Sequence, residues 1–205
     1  MEPQSAIAAE GPTHATATQP AATIEAPTNA HSSTAPRSLV DKLKMLLRYK
    51  AWANQIAFQG VMAIPEEEAL KPRMTTFKNM VHTLNHVYVV DDIFRHHLTG
   101  RRHTYTMRNT PGTPPLKDLW EAVQEMDRWY IALVDGWTAE DSSSTVNFEF
   151  VGGGMGEMTR EDIILHLVNH STYHRGFVGD MLKQVPYYWP ANDLTVFLRD
   201  HYRRA

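Results

Sequence analysis

Four stretches of the chain repeat apolar residues at intervals of three and four, and turn-rich segments separate them. The clearest runs from Leu116 to about Asp135, where Leu119, Trp120, Val123, Met126, Tyr130, Leu133 and Val134 share one stripe. Such a stripe is the buried face of an amphipathic helix, and it has to be covered by other apolar faces. The first pattern starts at Ser38, which with Asp41 makes a start signal of the capping-box kind. It passes through Leu39, Leu43, Leu46, Leu47, Trp52 and Ile56 and ends near Pro65. A second runs from about Thr76 to Leu98, with Gly100 where a C-cap glycine belongs. Thr159 and Asp162 open the fourth, from about Arg160 to Gln184. Just before it Val146, Phe148 and Phe150 alternate with polar residues and Gly152-Gly153-Gly154 follow, which predicts a small hairpin or an extended crossover. Past the Pro186 to Pro190 turn, Asn192 or its neighbour caps a short last helix through Phe197 and Leu198. The expected fold is all-α: a four-helix bundle with a short extended crossover before helix 4 and a short C-terminal helix.

A chain of 205 residues with 42% hydrophobic content has room for one domain with a proper core. Residues 1–37 are mostly Ala, Thr, Pro and Ser, with Ile7 and Ile24 the only large aliphatics after Met1. That segment cannot offset its ordering entropy and is expected to be a disordered tail, leaving 38–205 as the folded domain. A transit peptide would be rich in Arg and poor in acid, whereas Glu2, Glu10 and Glu25 precede the first arginine, Arg37. The net charge of −3 offers no broad basic surface, which argues against nucleic acid as a partner. No run reaches the length of a membrane span and no secretory leader is apparent, so the expectation is a soluble, cytoplasmic protein with no membrane partner. The absence of cysteine removes disulfides, thiolate nucleophiles and sulfur ligands together. Any metal must be held by nitrogen and oxygen.

Histidines give the chemistry its direction. LHLVNHSTYHRG places His166, His170 and His174 four residues apart on the fourth helix, and HTLNH places His82 and His86 likewise on the second. Side chains four apart on a helix stand one above the other, so a pair can grip one ion. The plain reading of any single one of the eleven histidines is a hydrogen-bonded core or surface residue, and His14, His31, His96, His97, His103 and His201 receive no other. A zincin would need H-E-x-x-H, which neither overlapping pair supplies. What remains is a pair from one helix and a third imidazole from a neighbour. His166, rotated by about 40° from His170, is open to reading as ligand, support or packed residue. Arg175 is read first as pairing with an acid or reaching to water, and second as anchoring an anionic substrate. Gly176 suggests close approach of another helix. Asp91 stands about 140° around from His86, which suits an ion pair or a supporting hydrogen bond rather than ligation.

LHLVNHSTYHRG resembles the fourth-helix signature of the damage-inducible DinB/YfiT-like metalloproteins, and TLNHVYVVDDIF resembles their second-helix motif. LLRYKAWAN and NDLTVFLRDHY are similar to the family's two ends, so the likeness spans about residues 40–202. The resemblance implies that His86, His170 and His174 hold one divalent metal ion, with zinc expected first and nickel, iron or manganese as alternatives. His82, His166, Arg175 and Asp91 are then candidates for supporting those ligands or touching a substrate. Three histidines leave coordination positions open, as in catalytic sites. Many members carry Gln after H-R-G; Phe177 stands here, which takes away one hydrogen bond that the likeness would otherwise imply. The wider superfamily includes thiol S-transferases and a thiol-dependent isomerase. The implied function is a metal-dependent enzyme acting on a small-molecule substrate, with a low-molecular-weight thiol as cosubstrate. The alternatives are a metal-dependent hydrolase and a non-catalytic metal-binding or stress-response protein. The likeness also implies a homodimer.

Overall fold

The long helices of the computed structural model, which describes residues 37–186 and 190–202, begin where the chain can satisfy a first turn that lacks carbonyl partners. Helix α1 (Leu39–Met62) follows Ser38, whose hydroxyl accepts from the Asp41 N–H while the Asp41 carboxylate accepts from the Ser38 N–H. Helix α2 (Glu66–Leu70) is a single turn after Pro65. Helix α3 (Met80–Leu98) is capped by Asn79, which accepts from the His82 N–H at 2.7 Å. It therefore starts at Met80 and not near Thr76. The residues before it form a turn closed by Lys78, whose φ of 66° is left-handed. Gly100, with φ of 67°, stands just past the Thr99 C-cap, where a glycine relieves the same strain.

Helix α4 (Leu116–Asp135) has the bounds its stripe predicts, and α5 (Ala139–Ser143) adds a single capped turn. Strands β1 (Thr145–Glu149) and β2 (Met155–Thr159) pair antiparallel, with Phe148 opposite Gly156, so the extended segment is a hairpin. Helix α6 (Arg160–Leu182) follows directly, with Thr159 accepting from the Asp162 N–H, and ends two residues before Gln184. Helix α7 (Leu194–Phe197) continues into a π-helical turn at Leu198–Tyr202. The fold is an all-α bundle of α1, α3, α4 and α6, and the two-stranded hairpin is its only sheet among the described residues. The expected tail of residues 1–37 lies, but for Arg37, outside the described residues.

Helix α1 packs on α4 and α6, and α3 packs on α6 and α4. The apolar core falls into two clusters. One gathers Leu43, Leu47, Tyr130, Ile163 and Leu167 with Phe148 of the hairpin; the other gathers Phe58, Val61, Met80, Leu84, Val123 and Leu182. A buried polar set is embedded among them, with Lys50 between Leu47 and Ala53 of the first cluster on α1 and Asp91 between Val90 and Phe94 of the same cluster on α3. In it the Lys50 ammonium donates to Asp91 and Asp127, both at 2.7 Å, and Asn54 donates to Asp127 at 2.9 Å. Arg175 donates to Asn54 at 3.0 Å and to Ser171 and Thr172 of its own helix. Two cations and two carboxylates thus form a buried layer of zero net charge that touches all four helices. Its carboxylates hold the Lys50 pKa above the usual lysine value despite complete burial.

Candidate metal centre

His86 of α3 meets His170 and His174 of α6, and one ring nitrogen from each lies within 4.8 Å of the others. The four-residue repeat puts the α6 pair on one face, and the packing of α3 against α6 brings the third ring across. His86 and His174 are buried and His170 is half-buried. The ring centroids stand 4.5 to 4.9 Å apart, and the His86 and His170 Nε2 atoms are separated by 3.0 Å.

The protonation of His86 follows from its neighbour. Its Nδ1 bonds the Arg108 carbonyl, which can only accept, so Nδ1 carries the proton and the Nε2 lone pair faces the other histidines. Asn109 fixes that carbonyl: its amide donates to the His82 carbonyl at 3.0 Å, and its oxygen accepts from Asn85 and from the Thr110 N–H. Phe77 lies flat on the His86 ring, 4.2 Å between centroids.

Burial and the neighbouring imidazoles push His170 down to about 3, and burial with His86 nearby pushes His174 down to about 4. Burial also lowers His86. All three are neutral at pH 7, the form that ligates a metal. The group fits a divalent ion. Nδ1 of His174 is buried with no hydrogen-bond partner among the described residues, while His170 turns its Nε2 towards His86. Two nitrogens on one tetrahedral zinc, each about 2.0–2.1 Å from it, would stand about 3.3 Å apart, close to the spacing of His86 and His170. An all-imidazole donor set suits zinc, nickel or iron, and also manganese less closely.

The other candidates lie elsewhere. His166 lines the cavity beside the group, its ring 5.5 Å from that of His170 and 5.2 Å from that of Phe94. His82, one turn before His86, is half-buried with Nδ1 3.4 Å from the Thr113 hydroxyl, away from the three-histidine group. Asp91 points into the polar layer and binds Lys50. Arg175 neither pairs directly with an acid nor reaches water: it is 2% exposed, bonded to Asn54, Ser171 and Thr172, and does not line the cavity. Gly176 is exposed, and a methyl group there would meet nothing within 4 Å, so no helix among the described residues approaches it closely. Phe177 stands 5.8 Å from His174 and takes part in the cavity wall.

A cavity of about 1180 Å³ opens directly onto the three histidines. Val90, Ile93 and Phe94 of α3 line it together with Phe148, Phe150, Val151 and Met158 of the hairpin, the Phe94 and Phe148 rings meeting at 5.6 Å between centroids. No Asp or Glu lines it among the described residues, and its one arginine, Arg108, is exposed. The roles of Phe77, Asn85 and Asn109 have no periodic signal. Only the position of Asn85, next to His86 in HTLNH, hinted at one.

A family model described as the DinB family matches residues 39–204. The protein named Protein DinB from Bacillus subtilis (strain 168) is 26% identical over 160 residues, covering 75% of this chain and 91% of that relative. The crystal structure of a DinB-like protein from Bacillus cereus ATCC 10987 superposes with a TM-score of 0.51 at 15% identity, covering 71% of this chain and 94% of the other, and so shares the fold.

Proposed function

The chain belongs to the DinB family, and from that premise we propose that His86, His170 and His174 hold one divalent metal ion at which a small-molecule thiol is activated towards an electrophile. The observation that carries this reading is the opening of a ligand-sized cavity onto three neutral, convergent imidazoles. A divalent ion bound there would lower the pKa of a coordinated thiol and leave a thiolate at neutral pH. The chain supplies the rest. His86 is held in one tautomer by the Arg108 carbonyl, the α6 pair is spaced by one helical turn, and apolar side chains line much of the cavity beside them. Because the chain has no cysteine, the sulfur nucleophile arrives with the cosubstrate.

Hydrolysis is the second reading: no carboxylate lines the cavity among the described residues, which leaves His166, beside the group, as the base that would take a proton from water. A storage site for metal would have no use for a cavity of this size. The test is elemental analysis of untagged protein incubated with zinc, nickel, iron or manganese. Wild type is expected to hold about one ion per chain, and His170→Ala and His174→Ala to lose it, as a three-ligand site requires. Loaded wild type is then assayed with low-molecular-weight thiols and electrophiles. Metal-free wild type after all four incubations would sink the proposal.

A further inference from the structure

We infer that the electrophilic substrate of this centre is an apolar small molecule, uncharged over its buried part, and that it sits against the hairpin wall of the cavity. This rests on the reading of the histidine group as the reaction site. The wall contributed by Ile93, Phe94, Phe148, Phe150, Val151 and Met158 is hydrocarbon and aromatic throughout. A charged ligand group placed against these six residues would lose hydration and gain no counter-charge from them; beside them stand only the imidazoles of His97 and His166, and the one charged lining residue is Arg108.

The hairpin is built for this surface. Gly156 lies opposite Phe148 across the strand pair. A Cβ at Gly156 would come within 2.6 Å of the Phe148 ring and 2.9 Å of the Phe150 ring. Bare backbone at that position lets both rings lie over the strand, with Phe148 further packed on Phe94 and stacked on His97.

Volume separates the two substrates. Single small-molecule ligands occupy pockets of about 300–1,000 Å³, and this cavity, at about 1180 Å³, exceeds that range. That space has room for the sulfur end of a thiol beside a second small molecule. A carboxylate on a thiol cosubstrate finds its one opposite charge in the lining at the exposed Arg108, and none among the six apolar residues. The inner, hairpin side is left to the apolar partner.

The experiment uses full-length, zinc-loaded protein titrated with the fluorescent probe 1-anilinonaphthalene-8-sulfonate, with n-butylbenzene and S-methylglutathione as competitors. Expected are saturable binding of one probe, displacement by n-butylbenzene and none by S-methylglutathione. Phe150→Glu, at an exposed position on the cavity rim, is expected to weaken the probe by about ten-fold or more with its metal content unchanged. Absence of saturable binding, or displacement by S-methylglutathione and not by n-butylbenzene, would overturn the assignment. Should Phe150→Glu fail to fold, the competition in wild type decides alone. Elemental analysis of the same samples reports on the histidine centre separately. Metal-bearing protein that ignores the apolar ligands defeats only the substrate assignment, whereas metal-free protein that binds them defeats the metal reading and, with it, the electrophile, leaving an apolar binding site alone.

Discussion

Asn109 sits in the loop between α3 and α4 yet is only 9% exposed, and every polar atom of its side chain has work to do between that loop and α3. Through it the Arg108 carbonyl is kept on His86 Nδ1. Asn109→Ala should leave the protein folded but lower metal affinity roughly 10- to 100-fold, as loss of a ligand's hydrogen-bond support does elsewhere. Competition against a chromophoric chelator would read this directly, and unchanged affinity would show that the loop has no part in the centre. Lys50 is the residue with most to lose. Lys50→Met strands Asp91 and Asp127 without their shared cation, and removal of one member of a buried ion group costs about 3–5 kcal/mol. Urea unfolding should place the variant that far below wild type.

At the scale of elements, the hairpin invites a test that leaves the helices alone. Gly156→Ala forces the Phe148 and Phe150 rings to move, and Phe148, buried between Phe94 and His97, cannot swing freely. Packing an extra methyl into a filled position costs about 1–3 kcal/mol. A fall in melting temperature together with altered probe binding is expected; a shift in neither would mean that the rings are not seated on the strand. The long helices were legible because of polar caps, as at Ser38 and Thr159, or, for α4 behind the uncapped Pro115, because of a clear apolar stripe. The single turns α2 and α5 were not, since five residues are too few to display a period. The start of α3 was misplaced because the apolar Phe77 continues the helical pattern through the turn, although its ring serves to cover His86. The convergence of His86 with His170 and His174 was readable only from motif likeness, since spacing within a helix does not reveal what packs across from it. The partners of Lys50 lie 41 and 77 residues away, and no local pattern encodes them.

For the whole molecule, acid should act mainly through histidine. Burial lowers the pKa of His82, His86, His166, His170 and His174, and lowers His97 to about 4 with the help of His103 and His96. A base whose folded pKa is depressed binds fewer protons folded than unfolded, so its contribution is present above about pH 6.5 and is lost as pH falls towards the folded value. Asp91, raised to about 6 by burial, acts in the opposite sense and gains stability as pH falls through 6. Six groups outweigh one. Metal-free protein should show a steady melting temperature above pH 6.5 and a progressive fall between pH 6.5 and 4 by calorimetry; a rise over that interval would contradict the burial of these rings. The polar layer has a consequence of another kind. Sliding any one helix by a turn, about 5.4 Å, would carry its share of Lys50, Asp91, Asp127 or Arg175 into hydrocarbon and break up the neutral set. Such a layer works as a vernier: it favours one longitudinal alignment of α3 against α6, the one that sets His86 level with His170 and His174.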